Sequence, residues 1–299
     1  MKNVFIKGQE NSLWNFYVDD KKRLCYETKK GKREILLEAC SEEFDVCGSE
    51  DGSIHIAYQD EIGSVNYIVY SDGTWKKYCL LKSRSQNKNM RAFRLFYING
   101  QLELFYILLH QFKFMLVHQS IHIQNFAAPD VIGYIENDSY FVCADSQSRL
   151  HIVFKAPEGG VQYRIYDSKQ RRYQEQMLEI SGDIRALCGA CAPDGTLHIA
   201  YVEQAKSNAH YTLCHHAQNG KQKKTVGFGS DPNVRPFLFF QDNTLHILWQ
   251  ERYDTYEAIS KNMGEKFSTA RPIGRNIVLC ACKFQASPEK LHYMRASEF

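Results

Sequence analysis

Apolar residues along this chain come in short runs separated by Gly, Asp, Asn and Ser turns. No segment sustains the 3.6-residue spacing of an amphipathic helix, so the runs predict strands throughout. One run recurs: a turn, then Leu-His-Ile-x-Tyr. It reads Ile54-His55-Ile56-Ala57-Tyr58, then Leu102-Glu103-Leu104-Phe105-Tyr106 and Leu150-His151-Ile152-Val153-Phe154. Leu197-His198-Ile199-Ala200-Tyr201 and Leu245-His246-Ile247-Leu248-Trp249 follow. Leu291-His292-Tyr293-Met294 is the last copy, and Leu13-Trp14-Asn15-Phe16-Tyr17 is a degenerate first copy.

These copies keep a period of about 47 residues, between the repeat lengths of two known propeller families. Two further landmarks keep the same period. One is Tyr26, Tyr67, Met115, Tyr163, Tyr211 and Tyr256. The other is a short apolar segment before each Leu-His copy, as in Phe44–Cys47, Ala92–Tyr97, Tyr140–Ala144, Val234–Phe240 and Ile277–Phe284. Each repeat therefore offers four short strands. A unit of that size cannot bury both faces of its own sheet, and radial stacking of repeats solves the problem.

The pattern predicts an all-β chain, residues 1–299 forming a single β-propeller domain of seven repeats. It predicts seven blades, the last incomplete, because only Ile277–Phe284 and Leu291–Ala296 remain for it. The alternative is six-bladed closure, in which Leu24–Glu27 and Arg33–Leu37 complete the last blade and residues 1–20 are displaced.

At these residues the chain resembles a divergent sialidase-like β-propeller repeat, in which a turn, Leu-His-Ile-x-Tyr, a Tyr strand and an Asp-box follow one another. Ser71-Asp72-Gly73-Thr74-Trp75 is similar to the Asp-box but two residues short of it. The resemblance spans nearly the whole chain as fold, and that fold serves hydrolases, lectins and scaffolds alike. It implies an arginine triad in the channel mouth, a Tyr nucleophile with a Glu partner and an acidic proton donor. Glu43, Asp45, Asp138 and Asp183 are the acidic candidates.

Composition narrows the picture. Aromatics at 13% suit pleated surfaces. A net charge of +3 is too small to draw nucleic acid or an anionic membrane by bulk attraction. No apolar run approaches the ~18 residues of a membrane span. Met1–Asn11 lacks the apolar region of a secretory signal, so the ten cysteines read as reduced thiols in the cytoplasm.

Candidate chemistry is sparse. His55, His151, His198, His246 and His292 share one repeat position, and five copies point to a structural bond rather than catalysis. Cys188 and Cys191 have CxxC spacing and Cys280 and Cys282 CxC spacing. Small thiols also suit crowded inner strands, so neither a metal nor any other cofactor is expected. Arg91, Arg94, Arg185, Arg235 and Arg275 precede or enter inner strands. Converging at a channel mouth they would bind a carboxylate or phosphate; otherwise they pair with rim carboxylates. Lys221, Lys223 and Lys224 read as a solubilising turn. No second constellation overlies the repeat, and the loops are short. The sequence thus favours a non-enzymatic platform for a protein or other macromolecule, with no catalytic residues. The alternative is a glycan-binding lectin or a sialidase-like glycoside hydrolase.

Overall fold

The computed structural model describes residues 2–8, 12–83, 89–122, 125–136, 138–204, 210–218, 220, 223–231, 233–285 and 287–295. Among them the strands form six sheets, mostly antiparallel. The first holds β1 (Asn3–Lys7), β2 (Leu13–Val18), β3 (Leu24–Thr28) and β4 (Arg33–Leu37), and the second β5 (Phe44–Gly48), β6 (Ile54–Gln59), β7 (Val65–Ser71) and β8 (Thr74–Leu81). The third holds β9 (Met90–Ile98), β10 (Gln101–His110), β11 (Lys113–His122) and β12 (Asn125–Phe126), with β13 (Asp130–Ile135) also paired to β11. The fourth holds β14 (Tyr140–Ala144), β15 (Arg149–Lys155), β16 (Val161–Asp167) and β17 (Arg172–Gln176). The fifth holds β18 (Ile184–Cys191), β19 (Leu197–Gln204), β20 (Tyr211–Ala217) and β21 (Lys224–Gly229). The sixth holds β22 (Pro236–Gln241), β23 (Thr244–Glu251), β24 (Asp254–Ser260) and β25 (Arg271–Arg275).

The Leu-His run is the second strand of its sheet, and the Tyr landmark lies on the third. First and second strands are the most buried: every residue of β5, β6 and β14 is covered. Outer strands such as β8 and β17 alternate between exposed and half-covered positions. Leu and Ile of the repeat fill cores between neighbouring sheets, where Val46, Ile54 and Ile56 pack with Val4, Phe16 and Leu24. The Ser71–Trp75 segment is a two-residue hairpin turn joining β7 to β8, with left-handed Asp72 and Gly73 (φ 52° and 76°). Its tryptophan packs on Tyr70, Tyr26 and Phe16.

The blade count is six, not seven. Repeat seven does not build a blade of its own. Its first strand, β26 (Leu279–Phe284), pairs in parallel with β1, Val4 opposite Ala281 and Phe5 opposite Cys282. Residues 3–18 keep their place as β1 and β2 of the first sheet rather than being displaced. Two strands alone would leave a row of open backbone donors and acceptors, and β1 supplies partners for them.

The chain divides into two compact units, Met1–Tyr134 with Cys280–Pro288 and Ile135–Leu279 with Glu289–Ala296. In the second unit, Tyr293 of β27 (Ser287–Arg295) packs on Phe237 and Phe239 of β22.

Candidate functional site

The repeated polar position does structural work. Nδ1 of His55 lies 2.6 Å from the Tyr67 hydroxyl, and Nδ1 of His151 lies 2.7 Å from that of Tyr163. His246 Nδ1 is 2.9 Å from Glu257 Oε1. The third sheet reverses the order, with Glu103 Oε2 2.8 Å from His118 Nε2. The first sheet replaces the polar pair by Trp14 and Tyr26, ring centroids 5.1 Å apart. In every case the partner sits diagonally across the second and third strands: Tyr67 faces Ala57, His118 faces Phe105 and Tyr163 faces Val153. Such diagonals are within reach of long side chains. His292 falls outside the described side chains.

The fifth sheet departs from this scheme in a useful way. Its diagonal joins two imidazoles, His198 Nδ1 and His215 Nε2, 3.0 Å apart. Burial pushes His198 down to about 4. Burial, then the neighbouring His198, His216 and Lys224 charges, push His215 to about 3. Both rings are therefore neutral near pH 7, and one proton lies between them. His215 Nδ1 is buried with no protein partner among the described residues. It accepts a hydrogen bond if Nε2 carries the proton and donates one if it does not.

That imidazole borders a cavity of about 300 Å³, lined by His215, Ala217, Gly220, Lys224, Met263, Gly264 and Glu265. The fifth and sixth sheets each contribute a wall. Lys224 stands directly across from His215 in the β20–β21 register. The opposite wall is the turn after β24. Ser260 Oγ accepts from Gly264 N–H at 2.9 Å, and Asn262 Oδ1 accepts from Lys266 N–H at 3.1 Å. Gly264 has φ +83°, and a Cβ there would lie 2.4 Å from His215 Cε1. Only glycine satisfies both the left-handed backbone and this close approach. The cavity thus combines a cation, a carboxylate, a neutral imidazole and an apolar wall from Met263.

The five arginines have different surroundings. In the first unit, Arg91 of β9 stacks over the Phe114 ring at 4.2 Å, and Arg94 donates to Phe93 O at 2.9 Å. In the second unit, Arg185 pairs with Asp183 at 3.0 Å and Arg235 is exposed. Arg275 lies on β25, the outermost strand of its sheet, and pairs with Asp254 at 2.9 Å.

Of the four acidic candidates, Glu43 and Asp45 hold strands and Asp183 pairs with Arg185. Glu43 Oε2 accepts from Ala92 N–H at 2.6 Å and Asp45 Oδ2 from Leu95 N–H at 2.7 Å. Tyr26 does donate to a carboxylate, Glu34 at 2.5 Å, but the ring is buried between aromatics on β3. Among the described residues no three His, Cys, Asp or Glu side chains are grouped to hold a metal.

The cavity was not legible in the sequence, because His215, Lys224 and Gly264 come from three separate segments. The signal that existed was the basic turn at Lys223 and Lys224. There Lys223 pairs with Glu203 at 2.6 Å, while Lys224 turns to the cavity.

No family model and no curated protein matches the chain. Solved structures match it in fold. A PL25 ulvan lyase superposes with a TM-score of 0.62 at 12% identity, over 96% of this chain and 86% of that one. The Aleuria aurantia lectin, a six-bladed β-propeller with a novel fucose recognition mode, gives 0.55 at 10%, over 91% and 96%. The SapL1 lectin, solved with alpha methyl fucoside, gives 0.53 at 9%, over 92% and 95%. At these identities the likeness is one of fold, an all-β six-bladed propeller.

Proposed function

We propose that this chain is a carbohydrate-binding propeller and that the cavity beside His215 holds one sugar unit. The observation that carries the reading is the buried imidazole Nδ1 without a partner among the described residues, set among Lys224, Glu265 and Met263. Pyranose rings present adjacent hydroxyls that both donate and accept, together with a patch of C–H surface. An ammonium and a carboxylate divide the hydroxyls between them, Met263 meets the C–H face, and His215 takes a further hydroxyl. The similar lectin folds support the reading.

Binding is favoured over cleavage. A general acid or base works best with a pKa near the operating pH, and burial holds His215 at about 3. The sialidase-like hydrolase reading then needs a catalytic pair elsewhere. The five arginines, Arg94 beside the Asp45 carboxylate among them, remain candidates for an acidic ligand. We place the protein in the cytoplasm, a compartment in which free thiols such as its ten cysteines are the resting state.

A second reading, a protein-binding platform, is supported by the long β10–β11 hairpin. Its tip sets Gln111 and Phe112 at φ 48° and 62°, and the Phe112 ring is fully exposed. A bulky residue in that backbone region is a rare arrangement.

The test is a glycan array probed with labelled protein, followed by calorimetry with the best ligand. Saturable binding that His215→Phe removes supports the proposal. An array with no signal from folded protein sinks it and leaves the platform reading in front.

A further inference from the structure

Cys143 and Cys191 lie 48 residues apart in the chain, yet their sulfurs approach to 3.4 Å. They sit on β14 and β18, the first strands of neighbouring sheets within the second unit, and share one hydrophobic core. In the repeat register Cys143 stands opposite His151, whereas Cys191 stands opposite Leu197, one place further toward the turn. That offset carries the second thiol to the first. Cys188 and Cys191, which share CxxC spacing, belong to a single strand instead.

We propose that Cys143 and Cys191 form a reversible disulfide that staples the fourth sheet to the fifth. The sulfurs must close from contact to about 2 Å, a movement that side-chain rotation on facing strands supplies. Both residues are covered but not sealed, at 9% and 8% exposure, which leaves a path for a small oxidant.

The chemistry balances with a peroxide as oxidant. One thiolate attacks the peroxide O–O bond, giving a sulfenic acid and releasing hydroxide, which takes up the thiol proton as water. The second thiol displaces the sulfenic oxygen, forming the S–S bond and a second water. Two thiols lose two electrons and two protons, and one peroxide becomes two waters.

The surroundings act on the first step in opposite senses. Burial and the neighbouring Cys143 raise the Cys191 thiol well above its ordinary value, but His151 acts in the opposite sense. Burial opposes charge on that imidazole as well. Bonds to Asp145 and Cys191 outweigh it and raise His151 to about 9. A cation beside the thiol pair stabilises the attacking thiolate. The resulting staple closes a long loop in the unfolded chain, which raises stability.

The experiment treats the purified full chain with hydrogen peroxide, blocks remaining thiols by alkylation and digests without reductant. Expected are a single cross-linked peptide pair containing Cys143 and Cys191, and loss of two of the ten free thiols. A melting temperature several degrees higher, reversed by dithiothreitol, completes the signature. Cys143→Ser and Cys191→Ser each abolish the shift, and Cys79→Ser, at an exposed thiol, leaves it intact. Oxidation of the folded wild-type chain to sulfinic acid, or to another pairing, overturns the proposal whatever the variants do. So does a cross-link that appears only after urea unfolding.

Discussion

The ammonium of Lys283 lies 2.5 Å from Oδ2 of Asp45, joining β26 to β5 inside the first unit. The same ammonium donates to Leu95 O at 3.2 Å, and the same carboxylate oxygen accepts from Leu95 N–H. Three strands are thereby tied at one point. Burial works to raise the Asp45 carboxyl, but Lys283, Lys2 and Arg94 outweigh it and the group stays below its ordinary value. Lys283→Met strands that carboxylate without its closest counter-charge. A loss of about 3 kcal/mol in urea unfolding at pH 7 is expected. Adding Asp45→Leu should recover part of it, because the uncompensated charge is gone.

Parallel pairing on β1 covers an edge, so a chain ending at Val278 should behave differently from the full chain. Its exposed β1 is a template for other strands. Light scattering after size exclusion should show oligomers for the truncated chain at concentrations where the full chain stays disperse. Identical profiles would show that β26 does not protect the edge.

Stability should peak near neutral pH, for reasons that separate by residue. Burial raises the Asp145 carboxyl, but bonds from His151 and Arg149 hold it at about 2. Its stabilisation is present above its unfolded value near 4 and is lost as pH falls toward 2. His151, raised to about 9, stabilises fully below about 6.5, and that contribution is lost as pH rises through 9. His55, His198 and His215 have the opposite sign. Burial lowers them to about 4, 4 and 3, so they favour the folded state above about 6.5 and lose that as pH falls. Urea midpoints across pH 3–9 check this, and His151→Asn should remove the decline that sets in between about pH 7 and 8.5.

Gly264→Ala tests the cavity wall. The added methyl meets the His215 ring and the left-handed backbone resists it, at a cost of about 1–3 kcal/mol. Thermal melts should show the loss, and sugar binding should weaken beyond what the melt explains.

Lys224→Ala and Glu265→Gln should each weaken sugar binding roughly ten- to hundred-fold, the range for one lost hydrogen bond to a charged group. Neither side chain carries core packing, so melting temperatures should hold within a degree or two. Calorimetry with the array's best ligand measures the first and scanning fluorimetry the second.

Much of this was legible from one residue class. His at the second position of five of the runs announced a strand, its place in the sheet and a structural bond, because local alternation fixes which face a side chain takes; that the bond goes to the third strand of the same sheet was not announced. Blade number was not legible. Val4-Phe5-Ile6 is a strand without a Leu-His copy, and parallel pairing with β26 joins residues from the two ends of the chain. The cavity was hidden for a similar reason: Lys224 reads as a solvated turn until the sixth sheet brings Gly264 beside His215. Arg275 looked like the start of an inner strand because Ile277 follows it, but the chain first completes β25.

The diagonal between second and third strands holds His with Tyr, Glu with His, His with His, His with Glu, and Trp with Tyr, on one backbone geometry. The two positions behave as a single exchangeable slot. Replacing one member leaves a buried group stranded, while replacing both as a set keeps the sheet whole. Grafting the His198–His215 set into the second sheet at positions 55 and 67 would then move a neutral imidazole to a new address on the molecule with the strand frame unaltered.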